Sequence, residues 1–258
     1  METPATLDRP EPLQSGSRRR SAHYLWLCLA TSAVAFLGFS FTYFRPMLGG
    51  VYPEAPGIVH VHGWSFFLWY LLLPLQAGLI AGRRVSLHRR LGLASVGLAG
   101  VMCFTGLVVI GVQMALARHP DGSPFWQFLG PGIFTTLVLF GSFYGLAIRF
   151  RRRRELHGRF ILLASTGALG AAGFRVLGQI IGFGPAAGVW GILLPNLIPV
   201  VAVLVEVRRG EGVHPAYRWG IPVSVLAEGG VILLTPTGVG RILSGALAWV
   251  GVASGPLY

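Results

Sequence analysis

The stretch LGLASVGLAGVMCFTGLVVIGVQMAL, residues 91–116, contains no charged residue. A helix rises about 1.5 Å per residue, and roughly 20 helical residues cross the apolar core of a bilayer, so this stretch is long enough to span it. Six further apolar runs accompany it, and the seven predicted spans are residues 24–44, 58–82, 91–116, 131–149, 160–182, 188–207 and 217–236. The sequence therefore predicts an all-α, polytopic membrane helix bundle with about seven transmembrane helices.

The composition agrees with a membrane protein. Hydrophobic residues make up 53% of the chain and charged residues only 12%, with a mean hydropathy of +0.64. The net charge is +12, and all 21 basic residues are arginine, because the chain has no lysine. That absence excludes a P-loop and any Schiff-base enzyme or retinal pigment. The arginines lie mostly in loops between apolar runs, which indicates contact with anionic lipid and no nucleic-acid partner.

The loops differ in charge, and this difference predicts the topology. Arginines concentrate after the second, fourth and sixth spans, in the segments 83–90, 149–159 and 208–218. By the positive-inside rule the N-terminus is cytoplasmic and the C-terminus lies outside. We expect a disordered cytoplasmic tail over residues 1–22, a seven-helix domain over 23–240 and a short interfacial segment over 241–258. Whether that last segment forms a further membrane-inserted helix stays open.

Histidine and arginine recur together where odd-numbered spans begin on the predicted cytoplasmic side. The residues are His88, Arg89, His157, Arg159, His214 and Arg218. Helix N-termini carry partial positive charge, which repels a divalent metal and favours an anion. We expect a site for an anion or a lipid headgroup here. The alternatives are simple interfacial anchoring and a histidine-bound zinc of a membrane hydrolase.

A second polar set lies within the apolar runs, towards their predicted outer ends. It consists of Arg175, Gln179, Asn196 and Glu228. Counting helical rise from the span ends places Arg175, Asn196 and Glu228 at similar depths. An arginine and a glutamate inside a bilayer are costly unless they are paired or face water, so we expect Arg175 and Glu228 to meet. The pair could lock two helices together, or form the floor of a pocket that binds a cofactor or small ligand.

The motif His60-x-His62 opens the second predicted span. On a helix these two side chains would point about 200° apart and could not share an ion. In an extended segment, which the two preceding prolines favour, they point the same way, and Glu54 could add a third ligand. We therefore expect a copper or zinc site of His60, His62 and Glu54, with interfacial hydrogen bonding as the alternative. A His62–Met114 pair could instead ligate haem.

Three short motifs give the chain a resemblance to a group of uncharacterised bacterial multi-pass membrane proteins. They are an H-x-H, a P-x-Q and an L-H-R-x-x-G, here His60-Val61-His62, Pro74-Leu75-Gln76 and Leu87-His88-Arg89-Arg90-Leu91-Gly92. The later Leu156-His157-x-Arg159 and His214-Pro215 also look like that group. The resemblance covers roughly residues 55 to 220. It implies a similar helical bundle in a bacterial cytoplasmic (inner) membrane, and it implies no reaction.

These patterns together predict an integral inner-membrane protein that binds a metal ion or a haem-type redox cofactor in an outward-facing polar pocket. Three alternatives stay open from the sequence. They are a small-solute carrier or channel, a zinc-dependent membrane hydrolase, and an assembly partner without a cofactor. The sequence does not decide whether the protein is an enzyme or how it oligomerises.

Overall fold

The computed structural model describes residues 12–51 and 54–257, with side chains from Ala22 onward, and this part of the chain contains helices and no strand. The α-helices are α1 (Pro12–Phe39), α2 (Arg45–Leu48), α3 (Gly57–Ala81), α4 (Val85–Leu116), α5 (Pro124–Arg149), α6 (Arg154–Gly167), α7 (Gly170–Ile181), α8 (Pro185–Leu193), α9 (Leu197–Arg208), α10 (Pro215–Leu234) and α11 (Gly238–Ser254). A π-helical turn, Ser40–Phe44, joins α1 to α2, and a 3₁₀ turn, Leu194–Asn196, joins α8 to α9. We call the ends of the helices near the arginine-rich loops inner and the opposite ends outer.

Five helices are long and apolar enough to cross a membrane. They are Ala22–Leu48, Gly57–Ala81, Val85–Leu116, Pro124–Arg149 and Pro185–Arg208. Two pairs of helices also qualify when each pair is taken together. They are α6 with α7, bent by 48°, and α10 with α11 and its last turn, bent by 97°. By length and composition, the described chain therefore has five spans, or up to seven if each bent pair counts as one. This confirms the predicted multi-pass helical bundle.

The fifth predicted span, residues 160–182, is interrupted between α6 and α7. The hydroxyls of Ser165 and Thr166 donate to the carbonyls of Ile161 and Leu162, at 2.8 and 2.9 Å. Such back-bonding bends helices. The Tyr70 hydroxyl of α3 donates to the Ser165 carbonyl at 2.9 Å. A neighbouring helix therefore provides a partner for a backbone group at the interruption, as the lipid environment requires.

The structure describes part of each end of the chain, and both described parts are helical. The tail predicted to be disordered lies outside the described residues up to residue 11, whereas α1 already begins at Pro12. A helix that is nucleated by a long span extends at little cost, which accounts for the extra turns. The predicted interfacial segment, residues 241–258, contributes most of α11, and α11 packs along α4.

The contact between α11 and α4 is close enough that their backbones touch. A Cβ on Gly251 would overlap the Gly111 backbone, and a Cβ on Gly111 would in turn crowd Gly251. Towards the outer end of α4, the Arg118 side chain lies beside Gly245. The two helices therefore run antiparallel, and α11 extends from the outer end of α4 towards its middle.

The main core lies between α1, α3, α5 and α6. Its centre holds Phe140, Leu162 and Leu163, none of which is more than 1% exposed. Trp69 of α3 stacks edge-on against Phe140, and its indole nitrogen donates to Ser165 at 3.1 Å. This packing holds α6, with its interruption, in the interior of the bundle.

Candidate functional site

Glu228 of α10 is the most deeply buried charged side chain of the described residues, with 0% of its surface exposed. Its Oε2 accepts a hydrogen bond from the Asn196 amide nitrogen at 2.7 Å. Its Oε1 is also buried, and no residue in the described part of the chain hydrogen-bonds to it. A carboxylate at this depth without a cation is strongly destabilised, so the site has a high affinity for a proton or another positive charge.

A 3₁₀ turn within the span Pro185–Arg208 holds this carboxyl group. Asn196 ends the 3₁₀ turn between α8 and α9, directly after Pro195, which cannot donate a backbone hydrogen bond. The Asn196 amide nitrogen also donates to the Leu193 carbonyl at 3.1 Å, at the end of α8. Both α6 and α7 pack against the same turn, and α10 packs against α5, α6 and α8. The broken helix pair α6–α7 therefore meets the 3₁₀ turn of the continuous span Pro185–Arg208, and Asn196 of that turn bonds to Glu228.

The predicted contact between Arg175 and Glu228 is wrong. The Arg175 guanidinium lies 4.3 Å from the centre of the Phe39 ring and donates to the Thr42 hydroxyl at 3.0 Å. It also donates to the Ala171 carbonyl at 2.8 Å, within α7. Arg175 is therefore held between α1 and α7, whereas Glu228 faces the turn after α8. Counting residues gives the depth of a side chain but not the direction in which its helix is rotated.

Gln179 does not join Glu228 either. It lies close to the end of α7 and is exposed. Of the predicted set, the structure thus brings together Asn196 and Glu228 alone.

His60, His62 and Glu54 do not assemble into a site. The predicted site required an extended segment. That prediction is wrong, because α3 begins at Gly57 and both histidines are helical. His60 Nδ1 lies 3.2 Å from the Tyr43 hydroxyl, and His62 Nδ1 lies 3.1 Å from the Thr105 hydroxyl. Within residues 12–51 and 54–257, no group of three or more His, Cys, Asp or Glu side chains could hold a metal ion.

The alternative haem pair is not at one level. His62 packs over Gly106 of α4, beside its partner Thr105. Met114 lies about 13 Å further along α4 than Thr105, and its sulfur packs against Gly130 of α5. These positions do not form the two faces of a haem pocket.

Two of the inner histidines lie together with the glutamine of the P-x-Q motif. The rings of His88 and His157 are perpendicular, with centres 6.3 Å apart. His157 Nδ1 donates to the Ala147 carbonyl at 2.9 Å, and the Gln76 amide donates to the His88 carbonyl at 3.2 Å. Among the described residues, the buried His88 Nδ1 and Gln76 Oε1 have no hydrogen-bond partner. Arg89 next to this group is exposed.

The other members of the predicted anion site line a cleft of about 520 Å³ at the inner ends of α6, α9 and α10. The lining side chains are Glu155, Arg159, Glu206, Arg209, Glu211 and His214. Arg159 forms ion pairs with Glu206, at 2.8 Å, and with Glu155. Among the described lining residues, three carboxyl groups face two arginines, so these residues provide no excess positive charge to attract an anion. Arg218, beyond it, is exposed.

His214 has a structural role at the edge of this cleft. Its Nδ1 accepts the backbone N–H of Ala216 at 3.2 Å and so caps α10. Burial, and secondarily the positive charge of Arg159, lowers the pKa of His214 below its usual value. The ring is therefore neutral near pH 7, with its proton on Nε2.

Sequence reasoning missed Glu206, although a signal was present. It is the one acidic residue in the apolar run LIPVVAVLVEVR, residues 197–208, and an ionisable residue inside such a run is a candidate functional group.

Comparison of the chain with protein-family models, with curated proteins and with solved structures gives no match. The buried carboxyl group of Glu228 is the strongest structural indication of a function.

Proposed function

We propose that the protein is a membrane carrier that exchanges a proton for a small cation at Glu228. The observation that carries this proposal is a completely buried carboxyl group with one unpartnered oxygen, bonded to the 3₁₀ turn against which the broken helix pair α6–α7 packs. When this group is deprotonated, only a proton or another cation can neutralise it, because Arg175 is engaged with α1 and α7.

The architecture supports transport over a purely structural role. Secondary transporters bind substrate and coupling ions near the bilayer midplane, where discontinuous helices expose helix ends and free carbonyls. Here the helix pair α6–α7 is broken, and both helices pack against the 3₁₀ turn whose Asn196 connects the carboxyl group to the Leu193 carbonyl. If Glu228 served only to hold two helices together, we would expect both of its carboxyl oxygens to accept hydrogen bonds.

The metal- or haem-binding function predicted from the sequence has less support. His60 lies beside Tyr43 and His62 lies beside Thr105, so the two histidines have separate partners. Met114 lies further along α4 than Thr105 and packs against Gly130. We retain the bacterial inner membrane as the proposed location, with the arginine-rich side in the cytoplasm and in contact with anionic lipid.

The test is proton movement in proteoliposomes that contain a trapped pH-sensitive dye. We expect a gradient of Na⁺ or K⁺ to drive proton movement in the opposite direction with the wild-type protein. Glu228→Gln, which keeps the shape and the hydrogen bond from Asn196, should abolish this movement. Glu54→Gln is the matched control, because Glu54 is exposed and should leave the movement unchanged.

An infrared spectrum of the purified protein supplies a second readout. A protonated carboxyl group gives a carbonyl stretching band that an ionised one lacks, and this band should disappear in Glu228→Gln but not in Glu54→Gln. Wild-type proton movement in Glu228→Gln would refute the proposal, as would the lack of any proton movement with either cation.

A further inference from the structure

The inner cleft is a second polar region, separate from Glu228. Its volume is about 520 Å³, and it lies between the inner ends of α6, α9 and α10. Pockets that bind small molecules commonly measure about 300–1,000 Å³. His214 lines the cleft at the start of α10, and Glu228 lies about four helical turns further along this helix, or about 21 Å. A ligand in the cleft and a cation at Glu228 therefore occupy different sites.

Glu206 brings a carboxyl oxygen without a partner to this cleft. The residue lines the cleft and is only 9% exposed. Nε and Nη2 of Arg159 both engage its Oε1, at 3.0 and 2.8 Å. Its Oε2 is buried, and no residue in the described part of the chain donates a hydrogen bond to it. A buried carboxyl oxygen without a donor is costly, so a ligand that donates to Oε2 gains free energy there.

Arg159 is fixed by its other contacts and does not serve Oε2 as well. Its Nη1 donates to the backbone carbonyl of Glu155 at 2.8 Å and to the carboxyl group of the same residue. The guanidinium also lies 5.7 Å from the centre of the Tyr217 ring. Contacts with three residues thus hold the guanidinium on Oε1 of Glu206, and Oε2 stays available to a ligand.

The loop after α9 adds a second carboxyl group to the wall of the cleft. Gly210 and Gly212 have φ angles of +75° and +71°, a left-handed conformation that glycine adopts without strain. Between them, the backbone N–H of Glu211 donates to the Glu206 carbonyl at 3.0 Å. The loop therefore folds back onto the end of α9, and Glu211 lines the cleft together with Glu206.

The charges of the lining residues favour a donor that is positively charged. Among the described lining residues there are three carboxyl groups and two guanidinium groups. The His214 ring adds no charge, because its Nδ1 accepts the Ala216 backbone N–H. These side chains together carry one net negative charge. The neighbouring Arg208 and Arg218 are exposed, so water and salt weaken their repulsion of a cation.

An ammonium group fits this arrangement better than a metal ion does. In the part of the chain that the structure describes, no three His, Cys, Asp or Glu side chains are placed to hold a metal ion. The three carboxyl groups of the cleft therefore do not converge on one point. An ammonium group does not require them to converge, because its N–H bonds point to separate acceptors. Hydrogen bonds from an ammonium group to a carboxylate are also among the stronger ones.

We infer that the inner cleft binds a primary ammonium group, which donates to Oε2 of Glu206. Two sources carry this group, soluble amines and the headgroups of aminophospholipids, and the cleft lies at the inner ends of membrane helices, where both are present. The inference is independent of the proposed proton exchange, because it concerns another carboxyl group in another part of the bundle.

The first arm of the test uses a soluble amine on lipid-depleted protein in detergent. Ethylammonium chloride is compared with tetramethylammonium chloride at equal millimolar concentrations, because both cations carry one positive charge but only ethylammonium has N–H donors. A ligand that binds the folded state alone raises its stability. We expect ethylammonium to raise the unfolding temperature by a few degrees and tetramethylammonium to leave it unchanged.

The second arm uses lipids whose headgroups differ in the same way. The protein is placed in nanodiscs that contain equal amounts of phosphatidylethanolamine and phosphatidylcholine, and the lipids that stay bound after release are identified by native mass spectrometry. We expect phosphatidylethanolamine to be retained several-fold more often. A preference in this arm alone identifies a lipid headgroup as the ligand, and a preference in the first arm alone identifies a soluble amine. A preference in both arms shows that the cleft accepts either source, whereas no preference in either arm overturns the inference.

Glu206→Gln then locates the site. This variant removes the negative charge from Oε2 and should abolish whichever preference the wild-type protein shows. Glu155→Gln is the matched control, because Glu155 also pairs with Arg159 but does not provide the buried oxygen, and it should keep most of the preference. Glu228→Gln should keep the whole preference even though proton movement is lost, so the two proposals can fail separately. A wild-type preference in Glu206→Gln would overturn the assignment to Glu206, and the wild-type comparisons remain decisive if that variant does not fold.

Discussion

At the residue scale, the state of Glu228 depends most directly on Asn196. The amide nitrogen of Asn196 is the one donor to the carboxyl group in the described chain, and it is tied at the same time to the Leu193 carbonyl. An amide donor stabilises the carboxylate without adding a charge, so it eases deprotonation and leaves room for a cation. An arginine in the same place would have neutralised Glu228 permanently.

Asn196→Leu should therefore destabilise the protein. It leaves a buried carboxyl group without any donor, and such a loss costs about 1–3 kcal/mol. Thermal unfolding in detergent should show the loss clearly in the wild-type background and much less with Glu228→Leu, where no polar group remains to be satisfied. Equal losses in the two backgrounds would contradict the assignment of the Asn196 amide to Glu228.

His214 makes the stability of α10 sensitive to acid. The pKa of His214 in the folded protein is lowered from 6.5. Its cap is therefore fully present above pH 6.5. Below pH 6.5 the stability that the cap provides decreases, and the cap itself is lost as the pH falls through the lowered pKa, when Nδ1 gains a proton. The lost cap is worth about 1 kcal/mol. His214→Asn keeps an acceptor at this position but does not titrate, so its unfolding temperature should fall less between neutral and mildly acidic pH. An identical fall in both proteins would contradict the cap.

At the scale of elements, close backbone contact decides where α11 lies. Gly111 and Gly251 let α4 and α11 approach until their backbones touch. Small residues of this kind drive helix association in membranes, where lipid competes for every apolar side chain. The exposed apolar side chains Ile242, Trp249 and Val252 then face away from the bundle.

Gly251→Ala should loosen this helix pair. The added Cβ overlaps the Gly111 backbone, which cannot move aside as a flexible side chain would, and such overpacking costs about 1–3 kcal/mol. Gly255→Ala is the matched control, because open space surrounds that position. The unfolding temperature in detergent should fall for Gly251→Ala only. Similar values for the two variants would show that the helices do not pack as described.

At the scale of the whole molecule, the distribution of arginines predicts one topology. The segments 83–90, 149–159 and 208–218 contain most of the arginines, and the cleft opens on the same side. The cleft therefore lies on the side predicted to be cytoplasmic.

Reporter fusions check this topology. Alkaline phosphatase, which is active only outside the cytoplasm, should be active when fused after Gly122 or Gly184 and inactive when fused after Gly210. A fluorescent protein that folds in the cytoplasm should give the reverse pattern. Active phosphatase after Gly210 would contradict the predicted topology.

The local sequence was sufficient to predict a multi-pass helical bundle and to make Asn196 and Glu228 candidate functional residues. The length and apolarity of a run are local properties, so a run such as 91–116 can be recognised in the sequence. The cost of a charge in lipid is the same in any fold, so an isolated Glu228 can be recognised there as well.

Only the tertiary structure decided which of these side chains meet. The partner of Arg175 depends on how α7 is rotated after the interruption that follows α6, and that interruption is stabilised by Tyr70 from a distant helix. The two histidines of the H-x-H motif separate because α3 starts before them, and Glu206, Arg159 and His214 meet because the inner ends of α6, α9 and α10 converge. Such contacts join residues far apart in the chain, and they depend on helix rotation and packing, which apolar periodicity alone does not encode.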